Sequence, residues 1–195
     1  MSPAPMRLGV LGGTFDPPHM GHLLAASDAL ELLGLDQLLL VPAAEQPLKR
    51  EAVVASASDR LAMTRILVDG DARFRVDPLE IDRGGLSFTV DTLRLLQARH
   101  GGPEAVALVL LVGEDVIATL PKWRESEALP QLAEIVVLTR AGGDVPSVRV
   151  GTAIATRRVD VSSTEIRARV RAGQSIHGFV PDAVAAYIAA RGLYR

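Results

Sequence analysis

Not one cysteine occurs among the 195 residues, which excludes disulfides, thiolate zinc sites and cysteine nucleophiles. Aromatic residues are scarce too: four Phe, two Tyr and one Trp leave Leu, Val and Ala to fill the core. Neither sign of charge dominates, with 21 Lys plus Arg against 23 Asp plus Glu and a formal net charge of −2. Such a chain has no electrostatic footprint for duplex nucleic acid or an anionic membrane, so any phosphate must be gripped locally. The longest unbroken apolar stretch, Ala105–Val112, falls far short of the ~18 residues that a spanning helix needs. The opening MSPAPMRLGVLGG carries one late Arg and a short apolar run broken by glycines, which is not the layout of a signal peptide. What remains is a soluble, cytoplasmic globular protein whose length suits one domain. A chain this long buries roughly 70% of its unfolded surface and needs no staples.

Met1–Pro5 reads as a loose leader, and residues 6–195 as a single domain. Strands are expected at Arg7–Leu11, Gln37–Val41, Arg73–Ile81 (with Pro78 as an interruption), Ala107–Val112, Ile135–Thr139 and Arg157–Val161. Their apolar runs are continuous rather than alternating, which suits a parallel sheet buried on both faces. Helical periodicity falls at about Gly21–Leu33, Ser58–Val68, Val90–Arg99, Thr164–Val170 and Asp182–Ala190. Ala141–Pro146 reads as a surface loop. Strand and helix in alternation give right-handed βαβ units, hence an α/β, doubly wound and mostly parallel, Rossmann-like sheet. Such sheets bind ligands beyond the carboxyl ends of their strands.

The first strand runs into Gly12-Gly13-Thr14-Phe15-Asp16-Pro17-Pro18-His19-Met20-Gly21-His22. Two glycines allow a sharp turn and close approach of backbone N–H groups to a ligand. His19 and His22 lie three apart at a helix start and share a face, where free amides and the helix dipole favour phosphate. An H-x-x-H pair can also chelate zinc, but that needs a third ligand, and neither Cys nor an H-E-x-x-H pattern supplies one. No Walker-type G-x-x-x-x-G-K-[ST] occurs. Further on, Val161-Ser162-Ser163-Thr164-Glu165-Ile166-Arg167 offers a capping box, with Ser162 as N-cap and Glu165 at N3. Arg167 is one turn on from Ser163 and Thr164, so hydroxyls, a helix N-terminus and a guanidinium fork gather on one face.

The first of these segments resembles the nucleotidylyltransferase superfamily, with its T-x-G-H or H-x-G-H signature. GGTFDPPHMGH is specifically similar to the bacterial nicotinate-mononucleotide adenylyltransferases. VSSTEIR resembles that family's second signature, I-S-S-T-x-I-R. Gln46-Pro47-Leu48-Lys49 and Ala57-Ser58-Asp59-Arg60-Leu61-Ala62-Met63 are similar to its P-P-H-K and A-S-x-x-R-L-x-M stretch, with Leu48 where the family has His. The run from Glu80 to Leu93 resembles E-x-x-R-x-G-x-S-[YF]-T-x-D-T-L. Gly113-Glu114-Asp115, followed by Trp123, resembles G-x-D…W, with Glu114 in place of a small residue.

The resemblance implies adenylyl transfer from ATP to nicotinate mononucleotide, giving nicotinate adenine dinucleotide and pyrophosphate, a step toward NAD. Its implied ATP site comprises Gly12, Gly13, Thr14, Phe15, His19, Gly21, His22, Ser162, Ser163, Thr164 and Arg167. His22, His19 and Arg167 are the catalytic candidates. The mononucleotide would meet Lys49, Ser87, Phe88, Thr89, Gly113, Asp115, Trp123 and Arg124. The amides of the Ser87–Thr89 turn would take the pyridine carboxylate, and the indole would stack on the ring. Mg²⁺ would arrive on ATP, with no dedicated protein metal site. The alternatives are a sister adenylyltransferase, acting on phosphopantetheine or on nicotinamide mononucleotide, and a non-catalytic nucleotide-sensing module. Neither nucleic acid nor a membrane is an expected partner, and the oligomeric state is left open, a homodimer included.

Overall fold

The computed structural model describes residues 4–47, 53–140 and 151–195. Six strands form one fully parallel sheet: β1 (Met6–Gly13), β2 (Gln37–Pro42), β3 (Phe74–Val76), β4 (Val106–Gly113), β5 (Glu134–Arg140) and β6 (Thr152–Thr156). Their order across the sheet is β3-β2-β1-β4-β5-β6. The chain first winds outward from β1 to β3, then returns to β4 on the other side of β1. The switch point therefore lies between β1 and β4, whose pairing runs from Met6–Val106 to Leu11–Leu111. This is the doubly wound α/β architecture that the alternating strand and helix patterns imply.

The continuous apolar runs reflect burial on both faces. Leu8, Val10, Leu108, Leu110, Ile135 and Val137 pack on one side, beneath α3 (Leu79–Arg83), α4 (Thr89–Arg99) and α5 (Leu129–Leu132). Leu11, Leu38, Leu40, Val109, Leu111 and Val136 pack on the other, with α1 (Met20–Leu32) and the end of α2 (Ala57–Leu67). A third cluster joins α2 to α6 (Ser163–Arg171) and α7 (Asp182–Arg191) through Met63, Ile166, Val184, Ile188 and Tyr194. It seats α6 against the carboxyl end of the sheet, where the site is built.

Two strand expectations are corrected. Only Phe74–Val76 of Arg73–Ile81 pairs with the sheet. Asp77 Oδ1 accepts from Leu79 N at 2.9 Å, and Pro78, which has no N–H for a ladder, starts α3 instead. The last strand is Thr152–Thr156, not Arg157–Val161. At Arg157 the backbone leaves the sheet, because its N–H and guanidinium both donate to Asp28 on α1, at 2.7 Å and 2.6 Å. β6 is an edge strand, half-exposed and built from Thr, Ala and Ile, so its apolar signal is weak. Ala141–Pro146 lies outside the described residues.

Candidate active site

The turn after β1 is tightly packed at Gly13 and Gly21. A side chain at Gly13 would start 2.9 Å from the Phe15 ring, and one at Gly21 would start 3.0 Å from the His19 ring. Gly12 and Gly113, at the ends of the two strands that flank the switch point, face open space instead. His19 is the N-cap of α1, and His22 is its third residue. Their rings lie 3.7 Å apart between centroids, with the Phe15 ring edge-on to His22 at 5.1 Å.

A single hydrogen bond fixes the tautomer of His22. Its Nδ1 accepts from His19 N–H at 3.2 Å, so in the neutral ring the proton sits on Nε2. Burial, and then the neighbouring His19, hold the His22 pKa well below the usual imidazole range; burial lowers that of His19 to about 4. Both rings are thus neutral at pH 7, and His22 presents an N–H at the first turn of a helix. His19 Nδ1 is buried and has no partner among the described residues.

The second signature is brought against the first. Ser163 Oγ donates to Pro17 O at 2.8 Å, and Arg167 donates from Nη1 to Asp16 O at 2.6 Å and from Nη2 to Thr164 Oγ1 at 3.3 Å. Ser162 caps α6 by accepting from Glu165 N at 3.1 Å. The N-termini of α1 and α6 therefore lie side by side, as two anion-favouring ends at one crevice. Ser163 donates its proton inward and can only accept from elsewhere while it does so. Arg167, with 13% of its side-chain surface exposed, ties the loop to α6.

Three residues that support this loop carried no functional claim in the sequence. Asp16, 2% exposed, accepts from Val54 N at 2.7 Å, Ala55 N at 3.0 Å and Tyr194 Oη at 2.7 Å. Arg60, fully buried, donates to Thr14 O, Ala43 O and Ala44 O at 2.8, 2.7 and 3.1 Å. It joins the loop after β1 to the segment after β2. Burial lowers the Arg60 pKa and raises that of Tyr194; the Asp16 carboxylate opposes the first shift and adds to the second. A signal for Arg60 exists in the sequence. Arg60, Met63, Thr64 and Leu67 recur at helical spacing and form the buried stripe of α2.

The remaining candidates group at the start of α4. Asp91 and Thr92 N–H close on Phe88 O, so α4 begins at Thr89, one residue before the expected Val90, with Phe88 as its N-cap. Trp123 and Phe88 both pack, partly buried, on the core beneath α4, and the Arg124 guanidinium covers the Phe88 ring at 4.9 Å. Arg124 also approaches Asp91 at 3.5 Å. Gly113 ends β4 and Asp115 follows it at the switch point, inside a 3-10 run over Glu114–Lys122 that the sequence did not reveal. Lys49 and Leu48 lie outside the described residues. Among the described residues, no three His, Asp or Glu side chains gather to hold a metal ion, and no helix is long and apolar enough to cross a membrane.

Comparison with known proteins gives the family. The cytidylyltransferase-like family model matches residues 10–169. A relative from Gemmatimonas aurantiaca, named probable nicotinate-nucleotide adenylyltransferase, is 54% identical over 97% of this chain and 93% of its own. One of the same name from a Roseiflexus species is 45% identical over the full length of both. Among solved structures, the nicotinic acid mononucleotide adenylyltransferase of Plasmodium falciparum, complexed with NaAD, superimposes with a TM-score of 0.79. It is 17% identical over 96% of this chain and 97% of that one, a likeness of fold. With relatives this similar along essentially its whole length, and both signatures folded onto one crevice, the chain belongs to the nicotinate-nucleotide adenylyltransferase family.

Proposed function

We propose that the crevice between β1 and β4 transfers the adenylyl group of Mg-ATP to nicotinate mononucleotide. The observation that carries this reading is the His22 ring, fixed as an Nε2–H donor beside two adjoining helix N-termini. A 5′-phosphate oxygen of the mononucleotide attacks the α-phosphorus of ATP. As that P–O bond forms, the bond to the bridging oxygen breaks and pyrophosphate leaves with the electron pair. Phosphate is nucleophilic at neutral pH, so no general base is needed. The protein must align two anions and stabilise charge on the transferring group and the departing pyrophosphate.

His22 Nε2–H is the donor for the α-phosphoryl oxygens, and His19, by holding His22 Nδ1, keeps that donor aimed. Thr164, Arg167 and the first amides of α6 suit the β- and γ-phosphates, with Ser162 and Ser163 shaping that helix start. Gly12, which faces open space, leaves room for the nucleotide beside Thr14, while Gly13 and Gly21 let the Phe15 and His19 rings pack against the turn. The neutral ring suffices for this task, since a second proton on Nδ1 would break the bond from His19 N–H that aims the donor. On the other side, the first amides of α4 take the pyridine carboxylate and Trp123 takes the ring. Gly113 and Asp115 receive the ribose between them. Such a protein works in the cytoplasm, where ATP is available. Equimolar pyrophosphate and nicotinate adenine dinucleotide from ATP and nicotinate mononucleotide is the expected result. No product above background would overturn the reading.

A further inference from the structure

Glu80, in the first turn of α3, opens the motif that ends at Leu93, yet no step of the transfer uses it. Its carboxyl is 6% exposed and faces inward. Thr92 Oγ1 donates to Oε1 at 2.5 Å, and the Ser87 hydroxyl donates to the same carboxyl. Ser87 Oγ in turn accepts from Ala44 N at 2.9 Å, while Ser87 N donates to Glu45 O at 2.9 Å. One buried side chain thereby links α3, the end of β2, the turn at Ser87 and the first turns of α4. Burial pushes its pKa up, and the two hydroxyls pull it back in part. A buried carboxyl is an expensive way to fill space that an apolar residue would fill without desolvation. Its chemistry fits a different task. With Ser87 N–H and both hydroxyls turned inward, the first amides of α4, which have no intrahelical acceptor, are left to face outward.

We propose that Glu80 is a positioning residue for recognition of the pyridine ring: acting through Ser87 and Thr92, it sets the aim of the amides at the start of α4. The proposal rests on the reading that this helix start meets the ring carboxylate. Glu80→Gln keeps the shape, but its NH₂ meets one of the two hydroxyls, which must then turn away.

The test is steady-state kinetics of Glu80→Gln and of Thr92→Val, with each substrate varied in turn. For Glu80→Gln, the KM for nicotinate mononucleotide rises about tenfold, as expected for loss of a hydrogen bond to a charged group. The KM for ATP stays within about twofold, and the preference for the acid over the amide mononucleotide falls by the same factor of about ten. Thr92→Val, which removes one hydroxyl at nearly constant volume, shifts the same constants in the same direction by about threefold. It decides the question if Glu80→Gln does not fold. Unchanged constants for the mononucleotide, or equal rises in both KM values, overturn the positioning role. A parent enzyme inactive with every pyridine mononucleotide overturns the functional reading, and this proposal with it.

Discussion

Replacing Asp16 by Asn removes one charge and one acceptor while leaving the volume almost unchanged. In the parent, Oδ2 accepts from Val54 N, and Oδ1 accepts from both Ala55 N and Tyr194 Oη. The Asn carbonyl can serve the two donors on one side, but its NH₂ then confronts the Val54 N–H. The buried Arg60 also loses a carboxylate whose field raises its pKa, and Arg167 loses a charge 3.9 Å from Nη1. Breaking a buried ion pair by removing one partner costs about 3–5 kcal/mol. That is a large share of the roughly 5–15 kcal/mol that stabilises a typical domain. At about 2–4 °C per kcal/mol for a chain of this size, the expected fall in Tm is roughly 6–20 °C. Tyr194→Phe removes one hydrogen bond to the same oxygen, worth about 1.5–3 kcal/mol, and creates no cavity. Because the Asn carbonyl still accepts from Tyr194 Oη, but as a neutral acceptor, the double variant should melt below Asp16→Asn by less than Tyr194→Phe costs the parent. Thermal melts followed by Trp123 fluorescence measure all three. An Asp16→Asn protein within about 2 °C of the parent, or full additivity of the two changes, would refute the account of Asp16 as the anchor of the loop.

His22→Ala should lower kcat by about 10²–10³ with a smaller change in substrate binding, as for loss of an oxyanion donor; near-full turnover contradicts the role of Nε2–H. Arg167→Lys keeps the charge but not the planar fork that spans Asp16 O and Thr164 Oγ1. Its KM for ATP should rise more than its KM for the mononucleotide, and parallel rises would contradict a role at the ATP tail. His19 has a folded-state pKa of about 4 against 6.5 for an unperturbed ring, so its contribution to stability is present above pH 6.5 and is lost as pH falls toward 4. Between pH 7.5 and 4.5 that loss amounts to about 2.5 kcal/mol. His19→Gln should flatten the pH dependence of the urea midpoint by that amount, and an unchanged slope would contradict the burial of a neutral ring.

The fold was legible wherever burial on both faces made apolar runs continuous. β1, β2, β4 and β5 and the five longer helices lie within a few residues of their expected positions. It was not legible where a local polar contact outweighed the pattern, as Asp77 and Pro78 do in ending β3 and Asp28 does in drawing Arg157 away from β6. The two signatures gave the helix starts, because a cap and its spacing are local properties. Asp16 and Tyr194 gave no such signal. Their contact joins residues 178 apart in the chain, and only the packing of α7 and its C-terminal turn against α2 and α6 creates it. Arg60 is an intermediate case: its helical spacing with Met63 and Leu67 marks the buried stripe of α2, but its three carbonyl acceptors come from distant segments and only the fold shows them.

The most direct test of the central claim is kcat/KM at saturating Mg-ATP for nicotinate mononucleotide, nicotinamide mononucleotide and phosphopantetheine, followed by pyrophosphate release. In the proposed site a carboxylate would accept from the α4 amides at both oxygens, whereas an amide would turn its NH₂ donor toward donors. Leaving a buried polar group unpaired in this way costs about 1–3 kcal/mol. The acid mononucleotide should therefore lead the amide by roughly tenfold to a few hundredfold, with phosphopantetheine at background. Equal values for the two pyridine substrates, or turnover of phosphopantetheine above both, would contradict the account.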